Sequence, residues 1–552
     1  MLREFRLSPL LWLFFLLFVL FQVFQWTQFP FIDTHALRRI LRVVDGSHNL
    51  CPHWGDACIY VMPEHTLYIF LMYLLNRLLS VFGLLHPLLV NHLVFGVFFA
   101  FFVVVVILLS RQAELEGRKR WLAVLFVVFG APGLVLMLVQ TEDDVAYFGF
   151  LLLFWWLMAR QGTSPSLWRW ADNRTPWLQG LLAGSLLGVA MTINPIVLIY
   201  LSMGIFLPWL WWTKRYDQLV KIVVAGCTSI VVFYLIYLPL YPNLLAYQDP
   251  FFTNLQKALS LWRGHAEKYQ NIPFFSSQYL SRSFIGFSNM VLQPRHPYGG
   301  LGTVLLKVVP WLWLSTFVLL LVRGFSHWRN SSLKQRSRIS MMLFFFLVAL
   351  GQAFVFETGV NERWSMAFLG FCMLLWWVWK LETQRWLHLF FTSFVVLQLS
   401  MGLSNLSYQA VGDVNVDYQA KLRHLRKVLE PVANRGKVEV AILPVELLNL
   451  DLYTRAMLSK ALHGVIYARA RRKTSPGQIP WTFHRRQSRK EPFPNYRMIE
   501  YYHEWHKPDA IKDELSLQTL HSLLKGKRVF VHPRLQKQWK QWLAPQKYYG
   551  GK

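Results

Sequence analysis

The sequence predicts an all-α polytopic membrane domain of about eleven transmembrane helices followed by a small α/β soluble domain. Three observations lead there. Of 552 residues, 54% are hydrophobic and 16% aromatic, a balance that soluble proteins rarely carry. Long apolar runs recur at the length of about 20 residues that a helix needs to cross a bilayer, and a helix satisfies its own backbone polar groups there. The short loops between the runs alternate in charge, with Lys and Arg gathered on one side.

Apolar runs place the spans at about 9–28, 88–110, 121–139, 145–160, 177–193, 195–212, 219–241, 303–323, 340–356, 364–380 and 386–403. The first follows "MLREFR" and has no small-residue cleavage site after it, so it reads as a retained helix and not as a signal peptide. With that start in the cytoplasm, the inner loops contain "RQAELEGRKR", "RQGTSPSLWRWADNR", "WTKRYDQ", "RGFSHWRNSSLKQRSR" and "KLETQRW". All are basic, as the positive-inside rule requires. They also explain much of the +28 net charge without nucleic acid as a partner. The run "TLYIFLMYLLNRLLSVFG" at 66–83 would invert every later loop if it crossed, so it reads as a helix along the outer interface.

The outside then receives loop 29–87, "QTEDD", loop 242–302, "ETGVNERWS" and everything after about residue 404. Domain organisation is accordingly 1–403 for the membrane part and 404–552 for a basic extracytoplasmic domain. From residue 411 onward there are 27 Lys and Arg against 12 Asp and Glu; long domains cross a membrane largely regardless of charge. "KVEVAILPV" and "KRVFVHP" read as strands and "DYQAKLRHLRKVLEPV" as a helix. Cys227 and Cys372 lie in apolar runs as ordinary buried thiols. Cys51 and Cys58 flank "PHWGDA" and suit a disulfide in an oxidising compartment, with a metal site involving His48 and His53 as the rival.

Topology puts three carboxylates on the outer face: Asp33 past the first span, Glu64 before the interfacial helix, and Asp144, with Asp143 beside it, at the start of the fourth span. Acids are expensive between lipid-facing segments. Each has a plain structural alternative: Asp33, Asp143 and Asp144 as helix N-caps, Glu64 as a solvated charge. A carboxylate at a lipid–water boundary is also well placed as a general base, with a cation to hold a leaving phosphate. The outer cations are His35, Arg38, His65, Arg263, His265 and Arg363. Arg363 opens the tenth span, where snorkelling to lipid headgroups is the alternative. Asn194, before Pro195 at the tip of the fifth and sixth spans, reads as a tight turn or as a polar contact.

In the order of these features the chain resembles the C-type glycosyltransferase (GT-C) fold, multi-spanning enzymes that use polyprenyl-phosphate sugars. Within it the closest likeness is to the branch of protein O-mannosyltransferases and the lipid A 4-amino-arabinose transferase. The matching pieces are Asp33 in a long first outer loop, "PEHTLYIFLMYLLNRLLSVFGLLHPLLVNHLVFGVFFA", "APGLVLMLVQTEDDVAYFGF" and the Gly-rich "GLLAGSLLGVAMTINPIVL", over about residues 5–403. The resemblance implies Asp33 as catalytic base, assisted by Glu64 and by Asp144 or Asp143. Lipid A transferases commonly carry Lys after that Glu and on the fifth span; this chain has His65 and Asn194.

The function expected is transfer of a sugar from a polyprenyl-phosphate donor to an acceptor in the cell envelope. Arg363 or Arg263 would hold the phosphate, and 242–302 would form a lid. The expected location is a bacterial inner membrane, with the N-terminus cytoplasmic and the C-terminal domain periplasmic. Partners are the donor, membrane lipids and a lipid, glycan or protein acceptor; "YARARRKTS" and "HRRQSRK" offer cations to an anionic one. A divalent cation on Asp33 and Asp144 is chemically reasonable, though their spacing does not demand it. The rivals are a transporter or flippase of a lipid-linked sugar and a glycan polymerase or ligase; the spans lack the midplane acids and inverted repeat usual in transporters.

Overall fold

The structure, a computed structural model, describes residues 7–28, 66–82, 87–112, 115, 117–139, 143–159, 176–240, 273, 276–292, 302–355, 364–411, 413–433, 438–450, 454, 458, 464–471, 481–485 and 513–542. Two compact units divide the chain. The first contains 1–31, 56–71 and 92–412; the second contains 32–55, 72–91 and 413–552.

Helices in chain order are α1 (Leu7–Gln28), α2 (Thr66–Val81), α3 (Pro87–Gln112), α4 (Gly117–Phe129), α5 (Pro132–Val139), α6 (Phe148–Ala159), α7 (Pro176–Ile193), α8 (Leu207–Trp212), α9 (Tyr216–Leu240), α10 (Ser277–Leu292), α11 (Gly302–Asn330), α12 (Leu333–Val355), α13 (Ser365–Leu381) and α14 (Arg385–Val411). Two 3₁₀ segments interrupt them, η1 (Asp143–Tyr147) and η2 (Pro195–Phe206). Among the described residues, five helices are long and apolar enough to cross a membrane. Their surfaces agree with lipid. On α11, Val304, Val308, Trp311, Val318, Val322 and Phe325 repeat every three or four residues and are exposed, while Val309, Trp313, Thr316 and Leu320 are buried. A long apolar exposed stripe of this kind would be a liability in water.

Three expected spans differ in construction. The run 121–139 is two helices, broken between Phe129 and Pro132, because Pro132 supplies no N–H to continue α4 and instead opens α5. The fourth span begins as the 3₁₀ turn η1 before α6. The sixth is wound as 3₁₀ for 12 residues before the short α8. The expected lid 242–302 contains α10, whose Tyr279, Ser283, Gly286, Met290 and Val291 are buried; a Cβ on Gly133 of α5 would lie 2.8 Å from the Met290 backbone. That part of the segment is therefore a packed helix.

A close contact in the bundle is that between α7 and α9. Gly180, Gly184 and Gly188 meet Lys221 with Val224, Ala225 with Thr228, and Ser229 with Val232, so both helices run in the same direction. Removing every Cβ on one face lets the backbones approach. At one end of α9, the buried Lys221 donates from Nζ to the Leu157 and Met158 carbonyls, which α6 leaves unpaired at its C-terminus. Gln398 of α14, also buried, turns its amide nitrogen to the Gly130 and Val291 carbonyls, each at 3.2 Å, and accepts from Trp313 Nε1 at 2.9 Å. Asn405 donates to the Pro132 carbonyl at 3.0 Å, closing the same break.

Residues from three of the basic loops expected on one side, those holding Lys119, Arg323 and Glu382, meet at one end. Glu382, between α13 and α14, takes a bidentate pair from Arg323 of α11 at 2.7 and 2.9 Å. It also accepts from the Thr383 and Gln384 amides. His388 donates from Nε2 to the Glu382 carbonyl at 2.6 Å, which turns Nδ1 toward Lys119 of α4 at 3.5 Å.

In the second unit, α15 (Asp413–Ala433) precedes a five-stranded sheet of β1 (Val440–Pro444), β2 (Gly464–Ala470), β3 (Trp481–Arg485), β4 (Asp513–Leu515) and β5 (Val529–Val531) in the order β4-β3-β2-β1-β5. The strand β1 is parallel to both its neighbours, β2 and β5; β3 runs antiparallel to β2 and β4. Leu520 and Leu524 of α16 (Leu517–Leu524) and Leu535 of α17 (Pro533–Trp542) pack with Ile442, Ile466, Phe483 and Val531. The start of "YARARRKTS" is the buried end of β2, with Arg469 exposed beyond it.

Candidate functional site

The expected site residues fall unevenly. Asp33, His35, Arg38, Cys51, Cys58, Glu64, His65, Arg263, His265 and Arg363 lie outside the described residues. Asp143 and Asp144 open η1, and their backbone is placed there. η1 packs against α7, and α7 ends at Asn194. The structure thus brings the second outer-loop acids and Asn194 to neighbouring elements.

Asn194 is buried and has extended backbone. Its Oδ1 accepts the Ile196 N–H at 3.0 Å, and Pro195 occupies the first position of η2. This is the turn reading of the sequence: an Asn N-cap satisfies an amide that a helix start leaves over. The direction of the chain places this cap opposite the Glu382 cluster. α6 runs from η1 to the carbonyls held by Lys221, and α7 runs from the Lys221 level to Asn194.

At the η1 and Asn194 end, the structure adds polar groups that the sequence reading passed over. Tyr279, near the start of α10, donates its phenol to the Phe354 carbonyl in the last turn of α12 at 2.6 Å. Burial raises that phenol to about 12, so it remains a donor. Ser276 caps α10 by accepting the Tyr279 amide at 3.2 Å. Trp364, just before α13, lies against Phe354 and Phe287 with ring centroids 5.1 and 5.3 Å apart. Among the described residues its buried Nε1 has no hydrogen-bond partner, and neither amide atom of the buried Gln352 has one. Buried polar groups left unpaired cost about 1–3 kcal/mol each, so such a pair of residues suits a polar ligand. In sequence the only signals were one Gln in "LVALGQAFV" and a Trp beside Arg363.

No cluster of three or more His, Cys, Asp or Glu able to hold a metal occurs among the described residues.

No family model matches the chain, and no curated protein sequence does. Solved structures similar to it include the following three. ArnT from Cupriavidus metallidurans, bound to undecaprenyl phosphate, aligns with 83% of this chain and 86% of its own at 12% identity and a TM-score of 0.48. The Archaeoglobus fulgidus oligosaccharyltransferase tethered with an acceptor peptide aligns with 82% of this chain and 63% of its own, at 12% identity and a TM-score of 0.39. The archaeal oligosaccharyltransferase AglB from Archaeoglobus fulgidus, in complex with an inhibitory peptide and a dolichol-phosphate, aligns with 83% of this chain and 64% of its own at 12% and 0.39. The chain therefore spans less than two thirds of the length of either archaeal structure.

Proposed function

We propose that the protein is a membrane glycosyltransferase that moves a sugar from a polyprenyl-phosphate donor to an acceptor on the outer side of a bacterial inner membrane. The N-terminus and the Glu382 cluster face the cytoplasm; the C-terminal sheet domain faces the periplasm. The observation that carries this reading is the separation of polar groups by end. One end of an apolar bundle holds Lys119, Arg323, Glu382 and His388 in closed mutual bonds. The other has the acids of η1 beside the end of α7, and buried Gln352 and Trp364 with no partners.

In the reaction, Asp33 takes the proton from an acceptor hydroxyl or amine as that atom attacks the anomeric carbon. The bond to the phosphate oxygen breaks, and the polyprenyl phosphate leaves with the electron pair. Arg363 or Arg263 offsets its charge. Glu64 and Asp144 assist the base, and His65, His35, Arg38, His265 and Asn194 complete the polar wall.

The test is transfer of label from a panel of polyprenyl-phosphate sugars in membranes containing envelope acceptors, with Asp33→Asn alongside. Wild-type transfer with loss of at least about 10²-fold in the variant, the scale of general-base catalysis, supports the reading. Full activity in the variant removes Asp33 from the mechanism. Movement of carrier across vesicles without transfer would replace the enzyme with a transporter.

A further inference from the structure

The second unit contains a histidine pair that the proposed reaction does not use. His532, fully buried, follows β5 and caps α17: its Nδ1 accepts the Arg534 N–H at 3.2 Å, and its own N–H donates to the Ile442 carbonyl of β1 at 3.0 Å. Its Nε2 lies 3.2 Å from Nε2 of His424 on α15. One residue thus ties together β1, α17 and α15.

The proton positions follow from the partners. An amide N–H only donates, so His532 Nδ1 carries a lone pair, and its neutral ring has its proton on Nε2. That proton is donated to His424 Nε2, which must be bare, so the proton of His424 sits on Nδ1. A single shared proton joins the rings. Any added proton breaks a bond: on His424 Nε2 it sets two N–H groups face to face, and on His532 Nδ1 it opposes the Arg534 amide. A metal ion between the two Nε2 atoms would force the same loss at Nδ1.

We propose that His424 and His532 form an acid-opened latch between α15 and the sheet. The helix concerned follows α14 directly in the chain, so the latch controls how firmly the segment next to the membrane helix is held to the extracytoplasmic sheet. Charged groups on the elements around the pair are Asp413, Asp417, Lys421, Arg423, Arg426, Lys427 and Glu430 on α15, Arg534, Lys537 and Lys540 on α17, Arg528 and Glu439 at the ends of β5 and β1, and Glu446 on the turn that packs against α15. Cations prevail. Burial first, then His424 and Arg534, lower His532 from 6.5 to about 4. An opened latch binds a proton that the closed one refuses, so closure is complete above about 6.5 and is lost as pH falls toward about 4.

The experiment is hydrogen exchange of the full-length protein in nanodiscs between pH 7.5 and 5, corrected for the intrinsic pH dependence, with peptides of α7 and α9 as internal reference. In wild type, exchange in 413–433 should rise by at least about tenfold relative to the reference. His532→Asn, whose Oδ1 accepts the Arg534 amide in place of Nδ1 and which does not titrate, should show no such rise between pH 7.5 and 5. His424→Leu, with no acceptor, should be loosened already at pH 7.5 and vary little with pH. A flat wild-type profile overturns the latch, and so does a rise of equal size in His532→Asn. Protection of 413–433 by added zinc at pH 7.5 would overturn the proton assignment on which it depends.

Discussion

Asn194 has two assigned duties that its neighbours allow to be separated. As the cap of η2 it accepts one amide, and its loss to Ala should cost about 1 kcal/mol of thermal stability. As part of the polar wall proposed above, it would feel the charge of a donor phosphate. Asn194→Asp preserves the cap, since Asp caps as well as Asn, and adds a negative charge where the phosphate arrives. The expected outcome is an unchanged melting temperature with a raised KM for the donor, read by thermal shift and by donor titration. Equal KM in wild type and Asn194→Asp would leave Asn194 as a cap alone. Gln352 and Trp364 extend the same reasoning: among the described residues their polar atoms have no partner, so a bound polar group would lower their energy where water does not reach.

At the scale of elements, the α7–α9 contact depends on absent side chains. A Cβ at Gly188 would stand 2.7 Å from the Ser229 carbonyl, and one at Gly184 would stand 2.7 Å from the Thr228 side chain and closer still to the Ala225 carbonyl. Gly184→Ala should therefore lower stability by about 1–3 kcal/mol as the helices are forced apart. Gly226→Ala, on α9 with nothing within 4 Å, should raise it by up to about 1 kcal/mol through helix propensity. Thermal unfolding of both in one detergent checks the contrast; equal shifts would refute the close contact. Apolar length made the helices legible in the sequence, since burial in lipid selects continuous runs. It did not reveal the break at Gly130 to Ala131, which Gln398 and Asn405 mend from α14, hundreds of residues away. Nor did it reveal α10, because alternating polar and aromatic residues on an interfacial helix resemble a loop. β2 was hidden by the arginines at its end, and β3 and β4 are too short for period-two alternation to stand out. Of the site, sidedness was legible and convergence was not, because carboxylates from separate loops carry no linear sign of meeting.

Across the whole bundle, stability against acid should be governed at the Glu382 end. Burial alone would raise that carboxyl; Arg323 and the amides of Gln384 and Thr383 overcome it and hold the group at about 2, against an ordinary 4.5. A lowered carboxyl contributes stability that is fully present above about 4.5 and disappears as pH falls toward about 2. Glu382→Gln should therefore melt lower than wild type at pH 7 and approach it as the pH is brought down toward 3; a constant difference across that range would count against the ion pair as its source. Glu382 is one fastening; the reach of the chain across the membrane rests elsewhere, on the winding of η2. Eighteen residues from Pro195 to Trp212 would measure about 27 Å as a continuous α-helix, short of a hydrocarbon core of about 30 Å. Drawn out at about 2.0 Å per residue over η2, the same residues measure about 33 Å. Weaker hydrogen-bond geometry is exchanged for contour: wound as a continuous α-helix, the same segment would be about 6 Å shorter.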